Sequence, residues 1–289
     1  MNQIIGFFGF GAMGGPMAEN LLKAGYRIYT VFKPLPCVAG NLSKQYDITM
    51  LGSRAKVAGE SDVIITCLPD DAIVKGLLME KEFAAAVRPG TIIIEMSSTT
   101  SDSILEIEQF YLTKGVKVVD APVSGGVSGA VGGTLTIFSS GDDEALDSVR
   151  PILKAMGSKV YCLGPCGNGK DFKNLNNLLL AVHTTAAAEV FRIAKNRGID
   201  LELLYNVICE SSGMSKAFIT RFKKMMEENL EGGFKLSLGR KDLGNGLKIA
   251  GTTPVPVAGL VYELMLANSE YDKQDIAAMC KLFEERGNR

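Results

Sequence analysis

The chain has a single histidine, His183, in 289 residues, and its six cysteines are scattered. None of Cys37, Cys67, Cys162, Cys166, Cys209 and Cys280 belongs to a C-x-x-C pair, and Cys162/Cys166 has no second pair or histidine nearby to complete a zinc site. No metal-ligand cluster is visible, and reduced thiols are the simplest expectation. An excess of charge is missing as well. A formal net charge of −1 argues against sequence-independent binding to a nucleic-acid backbone. No apolar run reaches the roughly 18 residues of a membrane span, and Met1 to Gln3 lead directly into an apolar run with no signal-peptide pattern. These absences predict a cytoplasmic protein with no nucleic-acid or membrane partner. Internal repeats and low-complexity tracts are also lacking. What is present is 46% hydrophobic residues, which excludes a disordered chain, and enough length for two domains.

The most informative stretch runs from Ile4 to Lys33 and reads as strand, glycine-rich turn, amphipathic helix and second strand. Its turn carries Gly9-x-Gly11-x-x-Gly14. A dinucleotide pyrophosphate needs a backbone that it can approach closely and a helix N-terminus aimed at it, and this spacing supplies both. Gly9 would allow the tight turn, Gly11 would keep side chains off the phosphates, and Gly14 would let helix and strand pack. The motif alone is weak. Its context strengthens it: an apolar strand, Ile4 to Phe8, precedes it, and a helix with Met17, Ala18, Leu21 and Leu22 at helical spacing follows, closed by Gly25.

Strand-like segments at Ser61–Pro69, Thr91–Glu95, Val116–Asp120 and Gly133–Phe138 alternate with helical ones. The alternation predicts an α/β fold, a doubly wound, mostly parallel sheet with helices on both faces. In such sheets ligands lie at the carboxyl ends of the strands, so the loops at Leu68-Pro69, Ser97-Ser98 and Ser124-Gly125-Gly126 are expected around one cleft. The pattern becomes helical after Gly164-Pro165-Cys166-Gly167-Asn168-Gly169, with a long helix over about Lys170–Asn196 that stops before Gly198. This predicts a dinucleotide-binding domain over 1–163 and an all-helical domain over 164–289.

Lys170, Lys173 and Asn177 stand at i, i+3 and i+7 and so share a helix face. The pattern leaves two readings open: a functional group, or solvated lysines beside asparagines that cap loops. Ser124 with Gly125 and Gly126 offers a hydroxyl and uncovered N–H groups, either a carboxylate nest or a plain turn. Lys241-Asp242, read by itself, is a solvated helix start. His183 is expected on the apolar side of the long helix in a structural role.

Four segments together bear a resemblance. Gly9-Phe10-Gly11-Ala12-Met13-Gly14-Gly15-Pro16-Met17-Ala18, Asp120-Ala121-Pro122-Val123-Ser124-Gly125-Gly126, Lys173-Asn174-Leu175-Asn176-Asn177 and Lys241-Asp242-Leu243 occur in this order. The chain resembles, nearly end to end, the β-hydroxyacid dehydrogenases, the group containing 3-hydroxyisobutyrate dehydrogenase, tartronate semialdehyde reductase and the glyoxylate/succinic semialdehyde reductases. The resemblance implies a Rossmann domain, a long interdomain helix and an all-helical domain. It also implies hydride transfer between a nicotinamide cofactor and a small carboxylate-bearing 3-hydroxy acid or its semialdehyde, or glyoxylate, in a homo-oligomer (dimer or tetramer). By the same resemblance Lys173 would be the general acid/base, oriented by Asn177. Ser124, Gly125 and Gly126 would hold the substrate carboxylate. Gly9, Gly11, Ala12, Met13 and Gly14 would bind the cofactor, Leu68, Pro69 and Ser98 would line its nicotinamide side, and Lys241 would close over the site. An ammonium near the carbinol oxygen can donate the proton and stabilise developing negative charge.

Three departures from the family pattern stand out. At the end of the second strand, where an acid would bond the ribose hydroxyls of NAD, the chain has Phe32 and Lys33. Lys33 could meet a 2′-phosphate, so NADP is the expected cofactor and NAD the alternative. Met214 stands where many relatives have a polar or basic residue, and Glu95 replaces the usual aspartate before Met-Ser. The competing readings are a 6-phosphogluconate dehydrogenase-like enzyme, which Asn176-Asn177 opposes, an imine reductase, which Lys173 opposes, and an NADP-binding scaffold or regulatory module without turnover.

Overall fold

A computed structural model describes residues 3–31 and 48–284. Phe32 and Lys33 lie outside the described residues. The chain divides into two compact units, Met1–Lys173 and Asn174–Arg289.

Among the described residues, the first unit is built on a nine-stranded sheet. Its strands are β1 (Ile4–Phe8), β2 (Arg27–Val31), β3 (Ile48–Leu51), β4 (Val63–Thr66), β5 (Ile92–Glu95), β6 (Lys117–Asp120), β7 (Val123–Ser124), β8 (Thr136–Gly141) and β9 (Lys159–Cys162). They lie in the order β3-β2-β1-β4-β5-β6-β8-β7, with β9 on β8. The first six are mutually parallel, and β8 runs antiparallel to both β6 and β7. Val63-Ile64-Ile65-Thr66 is buried along its whole length, as a strand covered on both faces must be. One face packs Phe7, Ile65, Ile94 and Val119 against helices α1 (Gly14–Lys23) and α7 (Asp143–Met156), and the other packs Phe8, Ile64, Ile93 and Val118 beneath the intervening helices. Those are α2 (Arg54–Glu60), α3 (Asp71–Leu78), α4 (Lys81–Ala86) and α5 (Ser101–Leu112), whereas the short α6 (Gly126–Val131) lies on the first face, where its Ala130 joins the cluster around α1.

The expected segment Gly133–Phe138 is shifted to Thr136–Gly141 in β8, because Gly133 and Thr134 close the turn after α6. The short strands β3, β7 and β9 were not foreseen.

Helix α8 (Asn168–Asn196) begins in the first unit and continues into the second, ending just before Gly198 at φ 65°. The second unit adds α9 (Leu201–Cys209), α10 (Lys216–Met226), α11 (Leu236–Ala250), α12 (Pro256–Ala267) and α13 (Met279–Leu282). Its core is aromatic and aliphatic: Phe191 meets Phe222 edge to face at 5.7 Å between centroids and Phe218 tilts against Phe222 at 4.7 Å, in one cluster with Leu236, Leu243, Met265 and Ile276. His183 departs from expectation. The buried stripe of α8 runs through Ala181, Thr184, Thr185 and Ala188, whereas His183 is exposed on another face.

Candidate active site

The strand order reverses between β2 and β4, on either side of β1, and the glycine turn leaves β1 at that point. In open sheets of this kind, the crevice outside the carboxyl ends at such a reversal is where ligands bind. Register brings the ends of four strands into one row: Phe8 pairs with Thr66, Thr66 with Glu95, and Glu95 with Asp120. The loops that follow, Gly9–Met13, Cys67–Pro69 and Met96–Ser98, therefore share that edge. Strand β7 runs in the same direction as β6 and continues it after two residues, carrying Ser124 beyond the same edge, with Gly125 and Gly126 exposed.

Each glycine of the turn meets a different demand. A Cβ on Gly14 would lie 1.8 Å from the Gly9 carbonyl oxygen, and one on Gly9 would lie 2.1 Å from that of Cys67. A Cβ on Gly11 would meet nothing within 4 Å. Gly9 and Gly14 are thus fixed by packing, while Gly11 faces open space at the start of α1, a ten-residue helix. Ala12 beside it is exposed, and Met13 is half-buried against the core. This turn fits a pyrophosphate: open at its middle glycine, and followed by a helix N-terminus with no acidic residue in its first turn. Across the edge, the Leu68 N–H donates to Ser97 Oγ at 2.8 Å, tying the loop after β4 to the loop after β5. Ser98 is half-buried and Pro69 exposed.

Lys173, the last residue of the first unit, is 7% exposed, so the reading of solvated lysines does not hold. Lys170, one turn earlier, is fully buried. Its ammonium lies 2.5 Å from Glu95 Oε2 and 2.9 Å from Asp120 Oδ1, and donates to the carbonyls of Glu95 and Ser97 at 3.1 and 2.9 Å. Burial alone would pull this ammonium down, but Asp120 and then Glu95 outweigh it and hold it above its ordinary range. Burial raises the Asp120 carboxyl, which Lys170 only partly offsets. This cluster was not foreseen from the sequence. Its signal was present in two acids, Glu95 and Asp120, each ending an apolar strand that has no place for an unpaired charge.

The second unit brings two of the motif segments together. Asn177, 3% exposed, donates from Nδ2 to Asp242 Oδ2 at 2.6 Å, and accepts at Oδ1 from Asn176 Nδ2 at 3.0 Å. Lys241 Nζ lies 3.2 Å from Asp242 Oδ1. The asparagine pair therefore caps no loop: one amide orients the other, and the aspartate after Lys241 anchors both. Gly246, on the same helix as Asp242, sits where a Cβ would press on Leu178 and the Asn174 carbonyl, so α11 lies close against α8. Among the described residues no group of three or more His, Cys, Asp and Glu could hold a metal.

A Rossmann sheet with a glycine turn at its switch point, followed by a helical unit, is the architecture of a dinucleotide-binding protein. Comparison with known proteins narrows this. Residues 4–164 match the NAD-binding domain family of 6-phosphogluconate dehydrogenase, and residues 167–283 match the family described as NAD-binding of NADP-dependent 3-hydroxyisobutyrate dehydrogenase. A 2-(hydroxymethyl)glutarate dehydrogenase of Eubacterium barkeri is 34% identical, over 97% of this chain and 95% of its own. An NAD-dependent L-serine dehydrogenase of Pseudomonas aeruginosa is 35% identical, over 97% of each chain. The solved 3-hydroxyisobutyrate dehydrogenase of Mycobacterium tuberculosis, described with L-serine, superposes with a TM-score of 0.87 at 30% identity, covering 97% of this chain and 99% of its own. Imine reductase structures are also similar, but at 16% identity they share the fold alone. The chain belongs to the 3-hydroxyisobutyrate dehydrogenase family, enzymes that oxidise or reduce hydroxy acids with NAD(P).

Proposed function

We propose that the chain transfers a hydride between NADP and a small 3-hydroxy acid or its semialdehyde, with Lys173 as general acid/base. The observation that carries this is Lys173 itself: a buried lysine on the face of α8 that also bears Asn177, whose amide is fixed by Asp242. When bound, the nicotinamide accepts or donates the hydride. Lys173 gives a proton to the carbinol oxygen during reduction and takes it back during oxidation. Asn177 orients Lys173 and the substrate. Ser124, the N–H groups of Gly125 and Gly126, and Lys241 bind the substrate carboxylate. Gly9, Gly11, Ala12, Met13 and Gly14 hold the pyrophosphate, and Leu68, Pro69 and Ser98 flank the nicotinamide. Functionally, 1–163 serve the cofactor and 164–289 the substrate and self-association.

L-serine, 3-hydroxyisobutyrate and 2-(hydroxymethyl)glutarate, which name three of the similar proteins, share one chemistry: a CH2OH group on the carbon next to a carboxylate. That is the substrate class we assign. The preference for NADP rests on Phe32 and Lys33 in the sequence, where an acid suited to the ribose hydroxyls of NAD is missing. A cytoplasmic setting suits five cysteines that are free among the described residues, and among these residues no helix is long and apolar enough to cross a membrane.

The test is oxidation of NADPH and NADH against methylmalonate, tartronate and succinic semialdehydes and glyoxylate. Lys173→Ala is expected to lower kcat by about a hundredfold to ten-thousandfold while cofactor affinity stays within a few-fold. Turnover that survives in this variant removes Lys173 from the chemistry. NADPH should exceed NADH in kcat/KM, with Lys33→Glu reversing the order. Equal efficiency with the two cofactors in wild type refutes the preference.

A further inference from the structure

Lys170 lies outside every role assigned above, yet it is fully enclosed, as are Glu95 and Asp120 beside it. Four oxygens from two strand ends surround its ammonium: carboxylates of Glu95 and Asp120, and carbonyls of Glu95 and Ser97. The surrounding polar atoms are tied in turn. Glu95 Oε1 accepts from the Ser97 N–H at 2.9 Å and from Thr66 Oγ1 at 3.3 Å, and Oε2 accepts from Thr99 Oγ1 at 3.2 Å. Asp120 Oδ2 accepts from the Lys170 N–H and from Ser140 Oγ, both at 2.9 Å, and Ser140 Oγ accepts from the Gly169 N–H at 2.9 Å. Gly169 has no room for a side chain: a Cβ would lie 2.3 Å from the Phe138 carbonyl and 2.7 Å from Asp120 Oδ2. The first turn of α8 is therefore pinned to the ends of β5 and β6 by both its backbone and a buried side chain. Ser97 is held three ways, by Glu95, by Lys170 and by the Leu68 N–H.

We propose that Lys170 is a positioning residue for hydride transfer, clamping the first turn of α8 to the loops after β4, β5 and β6 so that Lys173 keeps a fixed register against them. A buried ion cluster is weak evidence for stability, because its desolvation offsets its attraction, but it specifies geometry. Here the geometry specified is that of one helical turn, at whose end Lys173 stands on the same face. The proposal rests on the reading of Lys173 as acid/base.

The test uses the full chain with cofactor. Lys170→Met is compared with the neutral triple variant Lys170→Met/Glu95→Gln/Asp120→Asn, which lacks unpaired buried carboxylates and carries the test if the single variant does not fold. Amide exchange at Leu68, Ser97 and Lys170 should quicken at least about tenfold, with the amides of β1 unchanged. For each cofactor-binding site, kcat should fall by about tenfold to a hundredfold, the order expected of a misplacement near 1 Å. KM and cofactor affinity should move less. The primary isotope effect on kcat, with substrate deuterated at the carbinol carbon, should rise as the chemical step slows. A residue with a merely structural role would lower the active fraction and leave the isotope effect in place. A folded triple variant with wild-type kcat and isotope effect overturns the proposal. Lys173→Ala with wild-type turnover also overturns it, by removing the reading beneath it, and quickened exchange in the Lys170 variants then distinguishes that failure from the absence of a clamp.

Discussion

The glycines of the turn after β1 separate folding from binding within six residues. Gly14 is needed by the free protein, since an added methyl carbon would sit 1.8 Å from the Gly9 carbonyl oxygen, and no side-chain motion relieves a clash with backbone. Gly11 is not needed by the free protein, because nothing lies within 4 Å of its Cβ position. Gly14→Ala should therefore lower Tm clearly, by several degrees for a cost of about 1–3 kcal/mol. Gly11→Ala should leave Tm of the free protein within a degree and weaken NADPH tenfold or more, as read by fluorescence titration. A Gly11→Ala protein that binds NADPH as tightly as wild type would remove the pyrophosphate from this turn. The sequence motif contained all three glycines but not this division, which depends on the carbonyl of a neighbouring loop. Lys170 is the opposite case. Its spacing from Lys173 was visible in the sequence, but its burial depends on Glu95 and Asp120, 75 and 50 residues away.

Among the elements, α5 shows how a helix start can tie two loops together. Thr100 caps it, accepting from the Ser103 N–H at 3.3 Å, and also donates from its hydroxyl and N–H to Asp71 Oδ1, in the first turn of α3, at 2.7 and 3.0 Å. Burial would raise the Asp71 carboxyl, but the two bonds from Thr100 and one from Ser103 outweigh it and hold it below its ordinary range. A carboxyl whose folded pKa is depressed contributes stability that is present above its unfolded pKa and lost as pH falls through the folded value. Thr100→Val keeps the shape and the N–H but loses the hydroxyl. It should cost about 1 kcal/mol at pH 7 by loss of the cap, and the gap to wild type should narrow as pH drops below 4 in denaturant melts. A gap that stays constant down to pH 2 would show that Asp71 takes no part. Most elements of the sheet were legible because unbroken apolar runs such as Val63–Thr66 are buried on both faces. The missed ones, β3, β7 and β9, have two to four residues each and lie toward the ends of the sheet, where β9 is mostly exposed. β4, β5 and β6 are no longer than β3 and β9, but they are buried along most of their length; a strand that is mostly half-buried or exposed carries no burial pattern of its own, and neighbours distant in sequence decide its pairing.

For the whole molecule, the exposed side of α8 is the feature that the single chain leaves unexplained. Phe172, Leu175, Leu179, His183, Ala186, Val190 and Ile193 follow one another at intervals of three or four residues, so they form one stripe along the helix, and all are exposed. Isolated exposed apolar residues are ordinary, but a continuous row about 30 Å long, by the 1.5 Å rise per residue, is not. His183 was expected on the apolar side of this helix. It does lie in an apolar row, though one open to solvent rather than part of the core. A row of this kind marks an association surface, and we infer that a second copy of the chain covers it, giving a dimer or tetramer. Light scattering at micromolar concentration should give a mass of two or four times 30.9 kDa. Val190→Glu/Ile193→Glu, more than four turns from Lys173, places two carboxylates at the C-terminal end of that stripe, where burying an unpaired charge costs more than the apolar contact returns. The variant should shift toward the 30.9 kDa species while its far-ultraviolet circular dichroism stays unchanged. A wild-type chain that is monomeric at these concentrations would leave the stripe without its partner. An unchanged assembly in the variant would move the contact to another face, such as the exposed Leu203 and Val207 of α9 or Val257 and Leu260 of α12.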